Sequence, residues 1–252
     1  MKAVICTKYG TPEVLQFKEI EKPVPKDNEL LIKVFATTVT VADCRVRGFI
    51  VPKSFWLPAK FALGFSKPRQ SILGSELAGV VEAVGNKVTN FKAGDEVFAF
   101  SEHKLGAYAE YKCMNGNELI ALKPESLSFG QAVALPFGGI TALYFCRKAN
   151  ISIDKKVLVY GASGSVGTYA AQIAKYFGAE VTGVCSSGNA ELVKGLGADR
   201  VIDYVKDEWT VLNEKFDVVF DAVGKMNIDK VIEITKPQGC YIHTVATPFM
   251  EI

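Results

Sequence analysis

The sequence predicts an α/β fold in which a β-rich N-terminal half is followed by a doubly wound parallel sheet. Three observations indicate this. From residue 157 onward, apolar runs typical of strands alternate with stretches of helical periodicity. Before residue 123, short β-branched runs follow one another between Gly, Pro and Asn/Asp turns. Residues 161–167 carry glycines spaced three apart between a strand and a helix.

The β-rich half contains seven predicted strands, and their spacing suits a small, partly open barrel. These strands are Lys2–Cys6, Leu15–Glu19, Glu29–Thr38, Leu77–Val84, Val97–Phe100, Ala107–Tyr111 and Leu119–Leu122. Residues 49–72 interrupt them with apolar and aromatic side chains that lack clean periodicity. This interruption is either a long loop tucked onto the barrel or a lid over an apolar substrate pocket.

After Ser128 the spacing of apolar residues changes from a strand pattern to a helical one. Two helices are predicted, at Phe129–Leu135 and Thr141–Lys148, with a break near Pro136 and the Gly138-Gly139 pair. Five strands then follow at Val157–Tyr160, Val181–Val184, Arg200–Tyr204, Phe216–Phe220 and Gly239–Val245. Helices fill the gaps at roughly 165–177, 189–195, 206–213 and 226–234. The change predicts a boundary between Lys123 and Ile151, and we divide the chain into domains at 1–123 and 124–252.

The glycine-rich turn lies in a βαβ unit over residues 157–187. Its residues are Gly161, Ala162, Ser163, Gly164, Ser165, Val166 and Gly167. A Rossmann sheet holds the pyrophosphate of a dinucleotide in this way, because glycines permit close backbone approach and the helix N-terminus supplies free N–H groups. The alternative is a strand–turn–helix junction without a ligand, since the spacing differs from Gly-x-Gly-x-x-Gly. The context favours a nucleotide site.

Composition excludes several classes of protein. The 252 residues are 49% hydrophobic and 22% charged, which favours a substantial core over disorder. A formal charge of +2 provides no basic field for nucleic acid, and no apolar run is long enough to span a membrane. The six cysteines are scattered without a Cys-x-x-Cys pair, which predicts reduced thiols and a cytoplasmic location rather than disulfides.

Several blocks in order carry a resemblance to a known family. They are Met1-Lys2-Ala3, Ile72–Gly79, Val84-Gly85, Phe91–Val97, Leu135–Ala142 and Gly195–Asp199. Together they resemble the medium-chain dehydrogenase/reductase superfamily and, within it, the zinc-free quinone oxidoreductase-like branch. The resemblance implies a GroES-like barrel domain and a Rossmann domain with strand order 3-2-1-4-5, and it places the active site in the cleft between them.

The resemblance also bears on metal binding. Zinc alcohol dehydrogenases of this superfamily bind the metal through a Cys and a His, and the matching positions here hold Thr40 and Ser75. We therefore expect no metal site. The two histidines, His103 and His243, are expected to have surface or packing roles.

NADPH is the expected cofactor. The second strand ends in Ser186 and Ser187, where an NAD enzyme usually carries Asp or Glu, so two hydroxyls could donate to a 2′-phosphate and no carboxylate would repel it. Tyr204 matches a residue that contacts this region in NADPH-using relatives. Relatives commonly have Lys or Arg after the serine pair, where this chain has Gly188-Asn189. The resemblance implies cofactor contacts from residues 161–167, Ser186, Ser187, Tyr204 and, near the nicotinamide, Thr141.

The implied reaction is zinc-independent hydride transfer from NADPH to a quinone or an α,β-unsaturated carbonyl, because such acceptors are already activated. The substrate would be small and apolar. Thr40, Asp43 and Arg45 occupy a loop that lines the cleft in relatives and are the candidate catalytic residues. Asp43 is alternatively a structural carboxylate paired with Arg45 or Arg47. A non-catalytic NADP(H)-binding redox sensor or interaction module is the second functional hypothesis, and an alcohol dehydrogenase the third.

The family's chains continue past the position of Ile252, with a sixth Rossmann strand and a return to the barrel domain. We therefore expect a C-terminally truncated chain whose sixth strand is missing and whose GroES-like domain is incomplete. The fifth strand would then be an exposed edge. A homodimer is expected, weakened or altered by the missing segment.

Overall fold

A computed structural model describes residues 1–101, 104–206 and 214–244. The chain divides into two compact units, Met1–Pro136 and Phe137–Ile252. This division lies inside the interval 123–151 in which the change of period predicts a boundary. The bounds 1–123 and 124–252 for a catalytic domain and a dinucleotide-binding domain stay a prediction.

The first unit is built from two antiparallel sheets. Its strands are β1 (Lys2–Cys6), β2 (Leu15–Glu19), β3 (Glu29–Thr37), β4 (Glu76–Val84), β5 (Glu96–Phe100), β6 (Tyr111–Asn115) and β7 (Leu119–Leu122). Strands β1 and β2 pair with one another, and the other five form a curled sheet in the order β6-β3-β4-β5-β7. Alternate residues such as Leu30 and Ile32 of β3, and Leu77 and Val81 of β4, are fully buried and form its core. The curled antiparallel sheet confirms the predicted small, partly open barrel.

The strand predicted over Ala107–Tyr111 is wrong, because β6 begins only at Tyr111. The backbone of the residues before Tyr111 forms hydrogen bonds with β1 and with the segment before β4 instead. The Val4 N–H donates to the Tyr108 carbonyl at 2.8 Å, and the Tyr108 N–H donates to the Leu73 carbonyl at 3.0 Å. An isolated bridge pairs Ala109 with the first strand rather than with the curled sheet.

Helices α1 (Val41–Gly48), α2 (Trp56–Leu63) and α3 (Phe129–Ala132) complete the first unit, with a 3₁₀ turn at Lys53–Phe55. Helix α2 lies in the interval 49–72, so the interpretation of that interval as a plain loop is wrong. None of its residues is buried. A helix that buries one face usually has apolar residues on that face and polar residues on the other. Since α2 buries no face, its sequence lacks this pattern and the helix could not be predicted from it.

The second unit is a five-stranded parallel sheet with helices. Its elements are α4 (Pro136–Lys148), β8 (Lys156–Tyr160), α5 (Ser165–Tyr176), β9 (Glu180–Cys185), α6 (Ala190–Gly195), β10 (Arg200–Asp203), β11 (Phe216–Asp221), α7 (Ile228–Ile234) and β12 (Thr235–His243). The order β10-β9-β8-β11-β12 is the predicted 3-2-1-4-5 of a Rossmann sheet, and this prediction is confirmed. The helix predicted over 206–213 lies, apart from its first residue, outside the described residues, as do His103 and Val245.

Helix α4 corrects another expectation. The predicted break lies at residues 133–135, just before Pro136, which occupies the first helical position of α4, where its missing N–H costs nothing. The break does not include the Gly138-Gly139 pair. The helix continues through Gly138 because this glycine packs against α5. A Cβ built on Gly138 would lie 2.6 Å from the Ser165 hydroxyl oxygen. None of the helices within the described ranges has the length and apolar character needed to cross a bilayer.

Lys112 of β6 is a buried amine in the first unit. Its ammonium group donates to the Lys104 carbonyl at 2.5 Å. Burial is the main cause that lowers the pKa of Lys112 from 10.5 to about 8, and the Lys104 charge lowers it further while Glu118 opposes the shift. Below pH 8 the amine is charged in both the folded and the unfolded state, so folding bears the whole desolvation penalty. Above pH 8 the folded state loses its proton first, and stability rises toward pH 10.5.

Lys112→Met is therefore expected to raise the free energy of unfolding at pH 7 by about 1–3 kcal/mol, since the penalty disappears and one hydrogen bond is lost. The gain should shrink steadily between pH 8 and pH 10. Urea unfolding at pH 7 and at pH 10 measures this gain in stability. The control is Lys18→Met, which makes the same change at an exposed lysine. A gain that does not depend on pH would contradict the assignment of the shift to Lys112.

Candidate functional site

The glycine-rich turn of the second unit joins β8 to α5 and is fastened to β9. The N–H groups of Gly161 and Ala162 both donate to the Val184 carbonyl at 3.0 Å. The Gly164 N–H donates back to the Gly161 carbonyl, also at 3.0 Å, and closes the turn. These bonds hold the loop at the carboxyl ends of two central strands, which is where parallel α/β sheets bind their ligands.

The three glycines of the turn have different reasons to be glycine. Gly161 has a φ of 78°, and a Cβ there would lie 2.3 Å from Val223 Cγ2. A Cβ on Gly167 would lie 2.1 Å from the Gly161 carbonyl oxygen, which is backbone and cannot yield. Gly164 has an ordinary φ of −81°, and the nearest atom to its Cβ would be 3.4 Å away. The fold therefore does not require glycine at 164, whereas a ligand approaching the backbone there would.

The N-terminus of α5 is open. Gly164 is its N-cap, no side chain caps the first turn, and both Gly164 and Ser165 are exposed. The backbone N–H groups of residues 165–167 have no acceptor within the helix, and the helix dipole places positive charge at this end. The site therefore fits the phosphates of a dinucleotide.

Thr141 lies on α4, one turn beyond Gly138, which packs against Ser165 and Tyr169 of α5. Residues three apart on a helix share a face, so Thr141 belongs to the side of α4 that packs against the start of α5. Its side chain is half-buried. Thr141 thus lies on the face of α4 that packs against α5, and its position near the nicotinamide stays a prediction.

A carboxylate lies beside the serine pair that follows β9, contrary to the expectation that none would be there. The Ser187 hydroxyl donates to the Asp203 carboxylate, and the Val205 N–H donates to it at 3.0 Å. These two bonds, the Ser187 bond first, hold the pKa of Asp203 below its usual range. The Ser186 hydroxyl oxygen accepts from the Asn189 amide at 3.2 Å. The Ser187 hydroxyl thus already donates its hydrogen bond to a carboxylate of the same chain.

Asp203 is the residue that sequence reasoning missed, although a signal was present. Strand β10 pairs in parallel with β9, and its register sets Asp203 opposite Cys185, the residue just before the serine pair. The predicted strand order places the third strand beside the second, and a carboxylate at the end of the third strand then lies beside the serine pair. Tyr204 follows it, with its N–H donating to the Cys185 carbonyl at 3.1 Å and its side chain half exposed.

In the first unit, Thr40 and Asp43 form a capping box at the start of α1. The Thr40 N–H and hydroxyl donate to Asp43 Oδ2 at 2.9 and 2.6 Å, and the Asp43 N–H donates to Thr40 Oγ1 at 3.3 Å. The second carboxylate oxygen of Asp43, which is buried, accepts from the Gly74 N–H at 3.0 Å. Asp43 therefore joins the helix to the block before β4.

The arginines near Asp43 do not pair with it. Arg45 is exposed and makes no ion pair with Asp43 in the part of the chain that the structure describes. Arg47 donates instead to the Gly10 carbonyl at 2.5 Å. The structural interpretation of Asp43 thus agrees with its contacts, whereas the pairing with an arginine is wrong. Thr40, Asp43 and Arg45 do not form a proton relay in this arrangement, and their catalytic role stays a prediction.

An apolar groove of about 490 Å³ lies on the first unit, and Phe17, Phe35, Val39 and Tyr108 are among the residues that line it. The Tyr108 hydroxyl is buried and has no hydrogen-bond partner among the described residues. Burial, followed by the charge of Asp43, raises the pKa of this phenol. Tyr108 therefore offers a neutral hydroxyl beside the Asp43 carboxylate.

The positions matched to zinc ligands hold Thr40, which caps α1, and Ser75, whose carbonyl accepts from the Ser101 N–H at 2.7 Å. Within residues 1–101, 104–206 and 214–244, no group of three or more His, Cys, Asp or Glu side chains is arranged to hold a metal ion. A zinc-free site stays a prediction from the two replaced ligands.

Two family models match this chain, and each covers most of one of the two units. The family model of the alcohol dehydrogenase GroES-like domain matches residues 26–153, and that of the zinc-binding dehydrogenase matches residues 165–251. The chain is 37% identical to a 2-methylene-furan-3-one reductase of Solanum lycopersicum over 96% of its own length and 61% of the relative's. It is 36% identical to a chloroplastic NADPH-dependent alkenal/one oxidoreductase of Arabidopsis thaliana, over 95% and 61%.

Among solved structures, the quinone oxidoreductase of Coxiella burnetii matches with a TM-score of 0.85 and 32% identity, over 96% of this chain and 74% of the other. The chain spans about three fifths of the length of the two curated relatives named above. The two family models match the two units in the expected order, and the fold agrees with that of the solved structure. The chain belongs to the medium-chain dehydrogenase/reductase superfamily, in its quinone oxidoreductase-like branch.

Proposed function

We propose that the whole protein is a zinc-independent oxidoreductase that transfers hydride from NADPH to a quinone or an α,β-unsaturated carbonyl. The observation that carries this proposal is the open turn at Gly164. There an exposed glycine and a helix N-terminus without a side-chain cap leave room for a bound anion such as a phosphate. The relatives named as alkenal/one oxidoreductase, furanone reductase and quinone oxidoreductase support the class of substrate.

The residues of the chain would bind and orient the reactants. The N–H groups of residues 165–167 would hold the pyrophosphate, and Thr141 would lie toward the nicotinamide end. A bound nicotinamide cofactor would supply the hydride. The chain's contribution is then position and exclusion of water rather than a strong acid, because the Asp43 carboxylate already accepts three hydrogen bonds.

The choice of NADPH depends on the end of β9. Ser186 and Ser187 support NADPH, whereas Asp203 places a negative charge beside Ser187 and opposes a 2′-phosphate. Asp203→Asn keeps an acceptor for the Ser187 hydroxyl but removes the charge. We expect this variant to favour NADPH over NADH by about three- to tenfold more than the unchanged chain does.

Fluorescence titration of both nucleotides with the Asp203→Asn variant measures this ratio. Asp229→Asn, which removes an exposed carboxylate on α7, is the matched control. An unchanged ratio in Asp203→Asn would show that its carboxylate does not face the bound ribose.

The test of the proposed function is NADPH binding followed by oxidation with 1,4-benzoquinone. A Gly164→Trp variant is the control, since its side chain would fill the space in front of the helix N-terminus. Binding and turnover that both disappear in this variant are the expected result. Turnover that survives in Gly164→Trp would contradict the location of the site.

A non-catalytic NADP(H)-binding sensor or interaction module is the second candidate, and one observation favours it. Asp43 is engaged in a capping box and Arg45 is exposed, so the candidate catalytic residues do not assemble. Binding of NADPH without oxidation by any quinone would support this candidate.

We also propose a cytoplasmic location and a homodimer. The location rests on the pattern of cysteines, while one of the relatives named above is chloroplastic. The homodimer rests on the resemblance to the family. Fractionation of the source cells and sedimentation velocity would test them.

A further inference from the structure

One segment of the first unit combines basic charge with exposed apolar side chains. We call residues 44–75 the basic apolar segment. It contains no Asp or Glu, although the whole chain is nearly balanced, with 29 Lys and Arg against 27 Asp and Glu. Its basic residues are Arg45, Arg47, Lys53, Lys60, Lys67 and Arg69. The charge of this segment is therefore entirely positive.

The same segment exposes large apolar side chains. Six of them are more than half exposed, namely Ile50, Phe55, Trp56, Leu57, Phe61 and Phe65. Leu57 and Phe61 are four residues apart on α2 and therefore neighbours on its surface. The rings of Phe61 and Phe65 meet edge to face with centroids 5.1 Å apart. These contacts join Leu57, Phe61 and Phe65 into one apolar surface, and the other three exposed side chains lie in the same segment.

The segment is fixed in this orientation by Lys60. Its ammonium group lies 4.0 Å from the ring centroid of Phe49, 4.5 Å from that of Tyr9 and 5.4 Å from that of Trp56. It also donates to the Phe65 carbonyl at 2.6 Å. The Tyr9 hydroxyl donates to the Gly64 carbonyl at 2.9 Å and ties the end of α2 to the loop after β1. The apolar side chains thus stay outward while the backbone is anchored.

We propose that the basic apolar segment docks on an anionic lipid surface. Exposed Trp, Phe and Leu side chains suit the headgroup boundary of a bilayer, and basic residues beside them are attracted by anionic headgroups. Arg45, Lys53, Lys67 and Arg69 are exposed and can supply this attraction, whereas Arg47 and Lys60 are engaged within the unit. The absence of any carboxylate in the segment removes the repulsion that such a surface would otherwise exert. This docking does not depend on the proposed oxidoreductase activity.

Sedimentation with vesicles tests the proposal. We expect the chain to sediment with vesicles of phosphatidylcholine and phosphatidylserine at low salt, to bind pure phosphatidylcholine vesicles much less, and to be released by high salt. Phe61→Ser should weaken binding by about tenfold or more, because one large apolar side chain no longer enters the boundary. Phe17→Ser is the matched control, since Phe17 is even more exposed but lies outside the segment.

A second variant separates the contribution of charge. Lys67→Glu should weaken binding to the anionic vesicles, whereas Lys18→Glu, an exposed change of equal charge on β2, should weaken it less. Unchanged circular dichroism and melting temperature would show that the variants fold. Failure of the unchanged chain to bind anionic vesicles at low salt would overturn the proposal, as would equal binding by Phe61→Ser. A dimer that Phe61→Ser dissociates, with no vesicle binding, would assign the surface to a second copy instead.

Discussion

Gly167→Ala is expected to lower the free energy of unfolding by about 3 kcal/mol or more. The added methyl group would lie 2.1 Å from the Gly161 carbonyl oxygen and 2.9 Å from Ala162 Cα. Both are backbone atoms of the turn that hydrogen-bonds to Val184, so the strain cannot be relieved by turning a side chain. Urea unfolding followed by circular dichroism measures the loss, and nucleotide binding should disappear with it.

Gly164→Ala is the matched control, three residues earlier in the same turn. Its methyl group would meet only the Gly161 carbonyl oxygen, at 3.4 Å, which is ordinary contact. As Gly164 is the N-cap of α5, we expect a loss of stability of about 1 kcal/mol or less. Affinity for NADPH should nevertheless fall by about tenfold, because the methyl group stands where phosphate approaches. Equal loss of stability in the two variants would contradict the difference that we draw between the glycines.

Asp221→Ala is expected to destabilise the second unit by about 3–5 kcal/mol. Asp221 is fully buried at the end of β11. Its carboxylate accepts from the N–H groups of Val223, Gly224 and Met226 at 2.9, 2.7 and 3.1 Å, and from the Tyr241 hydroxyl at 3.1 Å. The alanine variant would leave four donors without their acceptor, and water can reach only some of them.

The effect of Asp221→Ala should extend to the glycine-rich turn. Val223, which the carboxylate holds in place, packs against Gly161 so closely that a Cβ on this glycine would lie 2.3 Å from Val223 Cγ2. We therefore expect weaker NADPH binding even at temperatures at which the variant is folded. Thermal unfolding and titration at low temperature separate the two effects. Asp229→Ala, an exposed carboxylate on α7, is the control, and an equal loss there would contradict the role of burial.

Much of the second unit could be predicted from sequence because each element has a local cause. The buried run Val157–Val159, the turn glycines and the amphipathic α5 each limit the backbone within a few residues. The order of the parallel strands is the one that the resemblance implies. The predicted strand Val181–Val184 accordingly differs from β9 by one residue at each end.

Features that depend on distant neighbours could not be predicted in this way. Asp203 acts through Ser187, sixteen residues earlier, so the residues around Ser187 do not reveal it, and only the pairing of β9 with β10 in the predicted strand order brings the two together. Asp43 is satisfied by Gly74, thirty-one residues later, so its structural role is not visible in the sequence around it. Helix α2 is stabilised by contacts with Tyr9 rather than by a buried face.

The unequal glycines have a consequence for how such turns are compared between proteins. Gly161 and Gly167 serve the backbone of the turn itself, so a descendant that no longer bound any nucleotide would still need both. Gly164 is free of that demand and would be the first to drift once the ligand was lost. Among divergent descendants of this chain, the middle glycine rather than the pair that flanks it would distinguish proteins that still bind a dinucleotide from those that have only inherited the fold.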